Sequence, residues 1–187
     1  MKTEEPATGE PAATGPAAAA ASTAAEPHWL DPEETATWLA MIKMITRLPA
    51  ALDADLQHSS GLSFFEYQVL AGLSMQPDRR HRMSDLAEFS ACSLSRLSHT
   101  ARRLESKGWL YREPDPTDGR YTLAVLTEAG WDKVVATAPG HVAGVRRLLI
   151  DALTQTQYKQ LRQISERVND AIGNEPCTGA HAKPTVC

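Results

Sequence analysis

Two short stretches of this chain carry side chains whose types and spacing suit contact with a polyanion. The first runs from Ser93 to Lys107. Wound at about 100° per residue, it puts Leu94, Leu97, Ala101 and Leu104 on one side of a helix. The other side presents Ser95, Arg96, His99, Arg103 and Ser106, with Ser98 and Arg102 at its margin. All of these carry hydrogen-bond donors, and no acidic residue interrupts them before Glu105. Arginine can grip a guanine edge with two parallel bonds, and serine and histidine can reach base edges or phosphates. His99 alone would read as a solvated imidazole. Within this face a base or phosphate contact is favoured over a metal or catalytic role. The second stretch is Asp118-Gly119-Arg120. A carboxylate two residues before an arginine can hold the guanidinium in place and spare ordering entropy on binding. An arginine so held at a hairpin tip suits a narrow, electronegative minor groove. Taken as a plain surface ion pair, the same two residues would be worth under about 1 kcal/mol.

The pattern around these stretches is mainly helical. Asp31-Pro32-Glu33-Glu34 opens a first helix with an N-cap, a proline suited to the first turn and two acids at the positive end of the dipole. Trp38, Met41, Ile42, Ile45, Leu48, Leu52 and Leu56 follow at helical spacing, Pro49 is expected to kink the helix, and Gly61 stops it. Ser63-Phe64-Phe65-Glu66 has the form of a capping box for a second helix. Met83–Phe89 reads as a short third helix, and Gly108 ends the fourth. Trp109–Arg112 and Thr122–Leu126 are β-prone runs about a turn-rich segment, Pro114 to Gly119, and form a hairpin wing. Thr127 caps a fifth helix that Gly140, after Pro139, is expected to interrupt. Thr154-Gln155-Thr156-Gln157 opens a sixth, running to Ile172. The expected fold is mainly α with a β-hairpin wing, a winged helix-turn-helix over residues 62–126. The flanking helices, 31–60 and 141–172, carry apolar stripes too long for so small a lobe to cover, and are expected to serve dimerisation.

The chain has 187 residues and a net charge of −4. Residues 79–120 hold nine basic and six acidic side chains, a net of +3, which leaves −7 for the rest. A basic module on an acidic body fits a nucleic-acid binder that is not a general polycation. Residues 1–27 are poor in large apolar groups and read as a disordered Ala/Pro-rich arm, and 173–187 as a flexible tail, leaving 28–172 as one domain. The N-terminus lacks the apolar core of a secretion signal and no run matches a membrane span, so a cytoplasmic protein with no membrane partner is expected. Three separated cysteines, Cys92, Cys177 and Cys187, argue against a disulfide framework or a close-spaced zinc site. Cys92, at the start of the fourth helix, is read as a small packed side chain rather than an oxidant sensor. There is no phosphate loop, nucleophile elbow or metal motif, so neither an enzyme nor a cofactor is expected.

These elements come together in a resemblance. Leu86-Ala87, Ser95-Arg96-Leu97, Arg103-Leu104-Glu105, Gly108-Trp109-Leu110 and Arg112 resemble the multiple-antibiotic-resistance-regulator (MarR) family. Asp118-Gly119-Arg120 and Leu126-Thr127-Glu128-Ala129-Gly130 match its D-x-R wing and the start of its next helix. The likeness covers residues 83–130 motif by motif, extends more loosely over 31–82, and is architectural over 131–172. It implies a homodimer on a palindromic double-stranded DNA operator, with helix 93–107 in the major groove and Arg120 in the minor groove. It makes Ser95, Arg96, Ser98, His99, Arg102, Arg103, Asp118 and Arg120 the expected DNA-binding residues. Members usually repress transcription, and many are released by a small aromatic or phenolic ligand; others sense oxidants or zinc. By position, Trp38, Met41, Arg47, Tyr67 and Trp131 could line a ligand pocket, although core packing is the preferred reading of each. The rival reading is a winged-helix protein–protein module that reads no DNA. A partner-binding face would expose aromatics and aliphatics rather than donors.

Overall fold

The computed structural model describes residues 27–173, so the expected arm and tail, with Cys177 and Cys187, lie almost wholly outside the described residues. The described residues fall into two units, which meet between Trp38 and Leu39. The elements are α1 (Pro32–Ser60), α2 (Phe64–Ser74), β1 (Arg80–Arg82), α3 (Met83–Phe89), α4 (Leu94–Ser106), β2 (Leu110–Pro114), β3 (Thr122–Leu126), α5 (Glu128–Val145), a π-helical turn (Arg146–Ile150) and α6 (Gln155–Gly173). This is the expected winged helix-turn-helix, mainly helical.

Local chemistry sets the helix ends. The Asp31 carboxylate accepts from the amides of Glu33 and Glu34, both at 2.8 Å, and Glu34 accepts in return from the Asp31 amide at 2.9 Å. Ser63 and Glu66 exchange the same reciprocal bonds at the start of α2, and Thr154 and Gln157 at the start of α6. Gly61 (φ +66°) and Gly108 (φ +72°) take the left-handed turns that end α1 and α4. Ala91, in the turn between α3 and α4, holds φ +48° without being glycine. A Cβ in that region costs about 1 kcal/mol or more, and two backbone bonds hold the turn against it, from the Ala91 amide to the Glu88 carbonyl and from the Cys92 amide to the Ala87 carbonyl, both at 2.9 Å.

The core is the winged lobe. Leu56, Leu62, Val69, Leu70, Leu73, Leu86, Leu97, Leu104, Leu110 and Ala124 are all essentially inaccessible and form one cluster. Truncating any of these leucines to alanine would cost about 2–5 kcal/mol.

The structure departs from the expected pattern in three places. The wing is part of a three-stranded antiparallel sheet, order β1-β3-β2, with Arg80 opposite Val125 and Leu110 opposite Leu126. Arg80-His81-Arg82 has no strand-like composition, and only its pairing with β3 makes it a strand. Helix α5 is not interrupted at Gly140. It continues through Pro139 because packing holds both flanks: Val134 and Thr137 are buried before it, and His141 lies against Tyr67 and Phe64 after it. Leu94 is exposed rather than inward, and Thr100 is buried in its place. The buried arc of α4 runs through Thr100, Leu104, Leu97 and Ala101, and Leu94 falls at its edge.

The long helices leave much apolar surface open. Leu39 and Ile45 of α1, Val142 of α5, and Ile164, Val168 and Ile172 of α6 are exposed, and no residue of α6 is buried.

Candidate nucleic-acid interface

Helix α4 is fixed from below and free above. The Ser93 hydroxyl accepts from the Arg96 amide, and Leu97, Thr100, Ala101 and Leu104 bury the lower face. Ser95, Arg96, His99, Arg102 and Arg103 are left exposed, and Ser98 is half-buried. The expected donor face therefore exists as a surface.

Two of its arginines are held by α2. The Arg96 guanidinium lies 4.3 Å from the centroid of the Phe65 ring, a cation–π stack. Arg103 Nη2 stands 3.4 Å, and Lys107 Nζ 3.8 Å, from Glu66 Oε1. Glu66 is buried and caps α2 with its other oxygen, so one carboxylate serves both the helix start and the α4 cations. Asp53 Oδ1 accepts from the Phe64 amide at 2.7 Å and ties this corner to α1. Arg96, His99, Arg102 and Arg103 line one wall of an open groove of about 730 Å³, faced by Asp53, Ser63 and Phe65. The capping box was legible in sequence, but the contacts of Phe65 and Glu66 with α4 were not, because about thirty residues separate the partners.

The wing residues meet as their spacing suggested. Asp118 grips Arg120 with both oxygens, Oδ1 to Nε at 2.9 Å and Oδ2 to Nη2 at 2.6 Å, and also accepts from the Arg120 amide. The Arg120 side chain remains 84% exposed. Hydrogen bonds from Arg120 hold the Asp118 carboxyl below the usual carboxylate range, and the same bonds push Arg120 further up. Beneath the tip lies Asp115, a buried carboxylate. It accepts from the Thr117 amide (2.8 Å) and hydroxyl (2.6 Å) and from Arg82 Nε (2.9 Å). The two Thr117 bonds and then Arg82 lower its pKa to about 2. The Arg82 guanidinium also sits 4.3 Å from the Tyr121 ring centroid.

Cys92 is half-buried against the core, and burial pushes its thiol up, only partly offset by Arg96 and the Leu97 amide. That environment agrees with the packed reading. Among the described residues no group of three or more His, Cys, Asp or Glu side chains could hold a metal ion, and no helix is long and apolar enough to cross a membrane. Arg47 lines a second open groove, about 460 Å³, with Lys43, Met44, Leu48, Leu148, Leu149 and Leu153. Neither Tyr67 nor Trp131 lines it: Tyr67 packs on His141, and Trp131 lies under Arg79.

The MarR family model matches residues 64–122. The fold is similar to that of Sco3205, a MarR family transcriptional regulator from Streptomyces coelicolor crystallised in complex with DNA. That match is at 40% identity and TM-score 0.77, over 84% of this chain and 98% of that one. AbsC, a MarR family transcriptional regulator from the same organism, is 35% identical with a TM-score of 0.76, over 80% of this chain and all of that one. The uncharacterized HTH-type transcriptional regulator YxaD of Bacillus subtilis (strain 168) is 31% identical over 91 residues, 49% of this chain. The match spans 63% of YxaD, a little under two thirds of its length.

Proposed function

This chain belongs to the MarR family of transcriptional regulators, and from that premise we propose that it is a homodimeric repressor of the cytoplasm. It binds a palindromic operator, places α4 in the major groove and Arg120 in the minor groove, and is released by a small aromatic or phenolic ligand. The observation that carries the reading is a rigidly seated helix with a donor-rich outward face, joined to a wing whose exposed arginine is aligned in advance by Asp118. The DNA complex of Sco3205, 40% identical to this chain, supports it. On this reading Arg96 and His99 read base edges, Ser95, Ser98, Arg102 and Arg103 contact bases or phosphates, and Asp118 orients Arg120.

Dimerisation is supported by the apolar residues left open on α1, α5 and α6, which a second copy would cover. Two-fold symmetry would set the two α4 helices about one DNA turn, roughly 34 Å, apart. Ligand release is supported by the groove at Arg47, whose volume of about 460 Å³ suits a small molecule. Lys43 and Arg47 there match a carboxylate or phenolate.

The test is selection of bound sequences from random duplex DNA, followed by titration of Arg120→Ala on the selected site. A pseudo-palindrome should emerge, and Arg120→Ala should weaken binding by roughly 5- to 150-fold, the scale of one good arginine contact. Failure to enrich any sequence from the random pool would refute the proposal.

A further inference from the structure

The seven residues Asp115–Tyr121 lie beyond the last β2–β3 pair, Pro114 with Thr122. A loop in that position is free to swing. Here its neck is closed by a bond from the Asp115 amide to the Tyr121 carbonyl at 2.9 Å, and within it the Tyr121 amide donates to the Asp118 carbonyl at 3.0 Å. The closed loop is then tied to a different element. Arg82 is the last residue of β1 and the residue that leads directly into α3. It reaches Asp115 Oδ2 through both Nε and Nη2, each at 2.9 Å, while Asp115 Oδ1 takes the two Thr117 donors. Its guanidinium stacks on Tyr121, and the same ring has the Arg120 guanidinium 6.0 Å from its centroid.

We propose that Arg82, Asp115 and Tyr121 are positioning residues: a clamp that locks the wing tip to the start of the helix-turn-helix and so fixes where Arg120 points relative to α4. This rests on the reading above that Arg120 contacts DNA. The clamp has two effects with separate signatures. It aims the wing, so that major-groove and minor-groove contacts form in one register without ordering the tip at the moment of binding. It also sets Arg82 and Asp115 against each other. Replacing the carboxylate by its amide would release a positive charge beside the DNA while loosening the aim.

Asp115→Asn should therefore do two opposite things. Affinity for random duplex DNA should hold or rise, because one negative charge per subunit is gone. Affinity for the selected operator should fall by roughly three- to tenfold, the scale of coupling between neighbouring side chains. A merely structural role would lower both together with the melting temperature. The deciding measurement is a double-mutant cycle with Arg120→Ala. If the clamp acts by aiming Arg120, Asp115→Asn costs operator affinity in the parent and nothing further in the Arg120→Ala background. Equal losses in both backgrounds, or no loss in the parent, overturn the clamp. If Arg120→Ala itself costs nothing, the minor-groove reading fails, and the clamp with it, by a result distinguishable from the other two. Should Asp115→Asn fail to fold, Arg82→Lys carries the same cycle. It keeps the charge but loses the two-pronged grip and the stack on Tyr121.

Discussion

Gly130 closes the motif that begins at Leu126, and the structure gives it a definite steric reason. A Cβ at this position would lie 2.0 Å from the Trp109 carbonyl oxygen, 2.9 Å from its carbon and 2.7 Å from Leu126 Cδ1. Two of these are backbone atoms that cannot turn aside. To reach ordinary contact the first turn of α5 must retreat by about 1 Å or more. That retreat strains the bonds holding it to the α4–β2 turn: the Thr127 amide to the Trp109 carbonyl at 3.1 Å, and the Thr127 hydroxyl to the Gly108 carbonyl at 2.7 Å. Overpacking costs about 1–3 kcal/mol, and each weakened hydrogen bond up to about 1 kcal/mol. Alanine recovers about 1 kcal/mol of helix propensity. Taking the middle of each range, Gly130→Ala should thus destabilise by about 2 kcal/mol, lowering the melting temperature by roughly 4–8 °C for a domain of this size. Gly140 is the matched control: it lies in the same helix, and its Cβ would meet nothing within 4 Å. Gly140→Ala should stabilise by about 0.5–1 kcal/mol. Thermal and urea melts at one fixed protein concentration decide the matter, since self-association would make the midpoint concentration-dependent. A Gly130→Ala protein as stable as its parent, or a Gly140→Ala protein destabilised as much as Gly130→Ala, would refute the steric account.

Three further outcomes are expected. Ser63→Ala removes one half of the α2 capping box and should lower stability by about 1 kcal/mol, read by urea denaturation, with Ser63→Thr near the parent. Burial holds the His141 imidazole below its ordinary value of 6.5, and its Nδ1 has no hydrogen-bond partner between the helices. Below about pH 6.5 the unfolded chain then binds the extra proton first, so stability is lost as pH falls. His141→Phe should flatten that part of the stability–pH curve, and an unchanged slope would show that His141 is not its source. Asp115, lowered to about 2, stabilises the fold above its ordinary value of 3.8 and loses that contribution only as pH falls from there toward 2, so Asp115→Asn should lower stability by a constant amount through the neutral range and flatten the acid limb, read by urea melts across pH.

Sequence alone determined what depends on near neighbours. The caps at Asp31, Ser63, Thr127 and Thr154 each involve groups within three residues, and each is found as a hydrogen bond. The amphipathic rhythm of α4 and the two-residue offset of Asp118 and Arg120 are equally local, which is why the donor face and the wing pair were legible. Where local rules competed with packing they misled, reading Pro139 and Gly140 as a break and Leu94 as core, and nothing local marked Arg80–Arg82 as a strand. For α5 and β1 the outcome was settled by an element distant in the chain, α2 against α5 and β3 beside β1, whereas Leu94 fell at the edge of the arc that α4 buries. The tertiary structure alone decided the supports. Phe65 under Arg96, Glu66 beside Arg103 and Lys107, and Arg82 on Asp115 join residues some thirty or more positions apart. No periodicity or composition marks such pairs, because a side chain's long-range partner depends on how the helices and sheet pack, and the same arginine would serve as well in water.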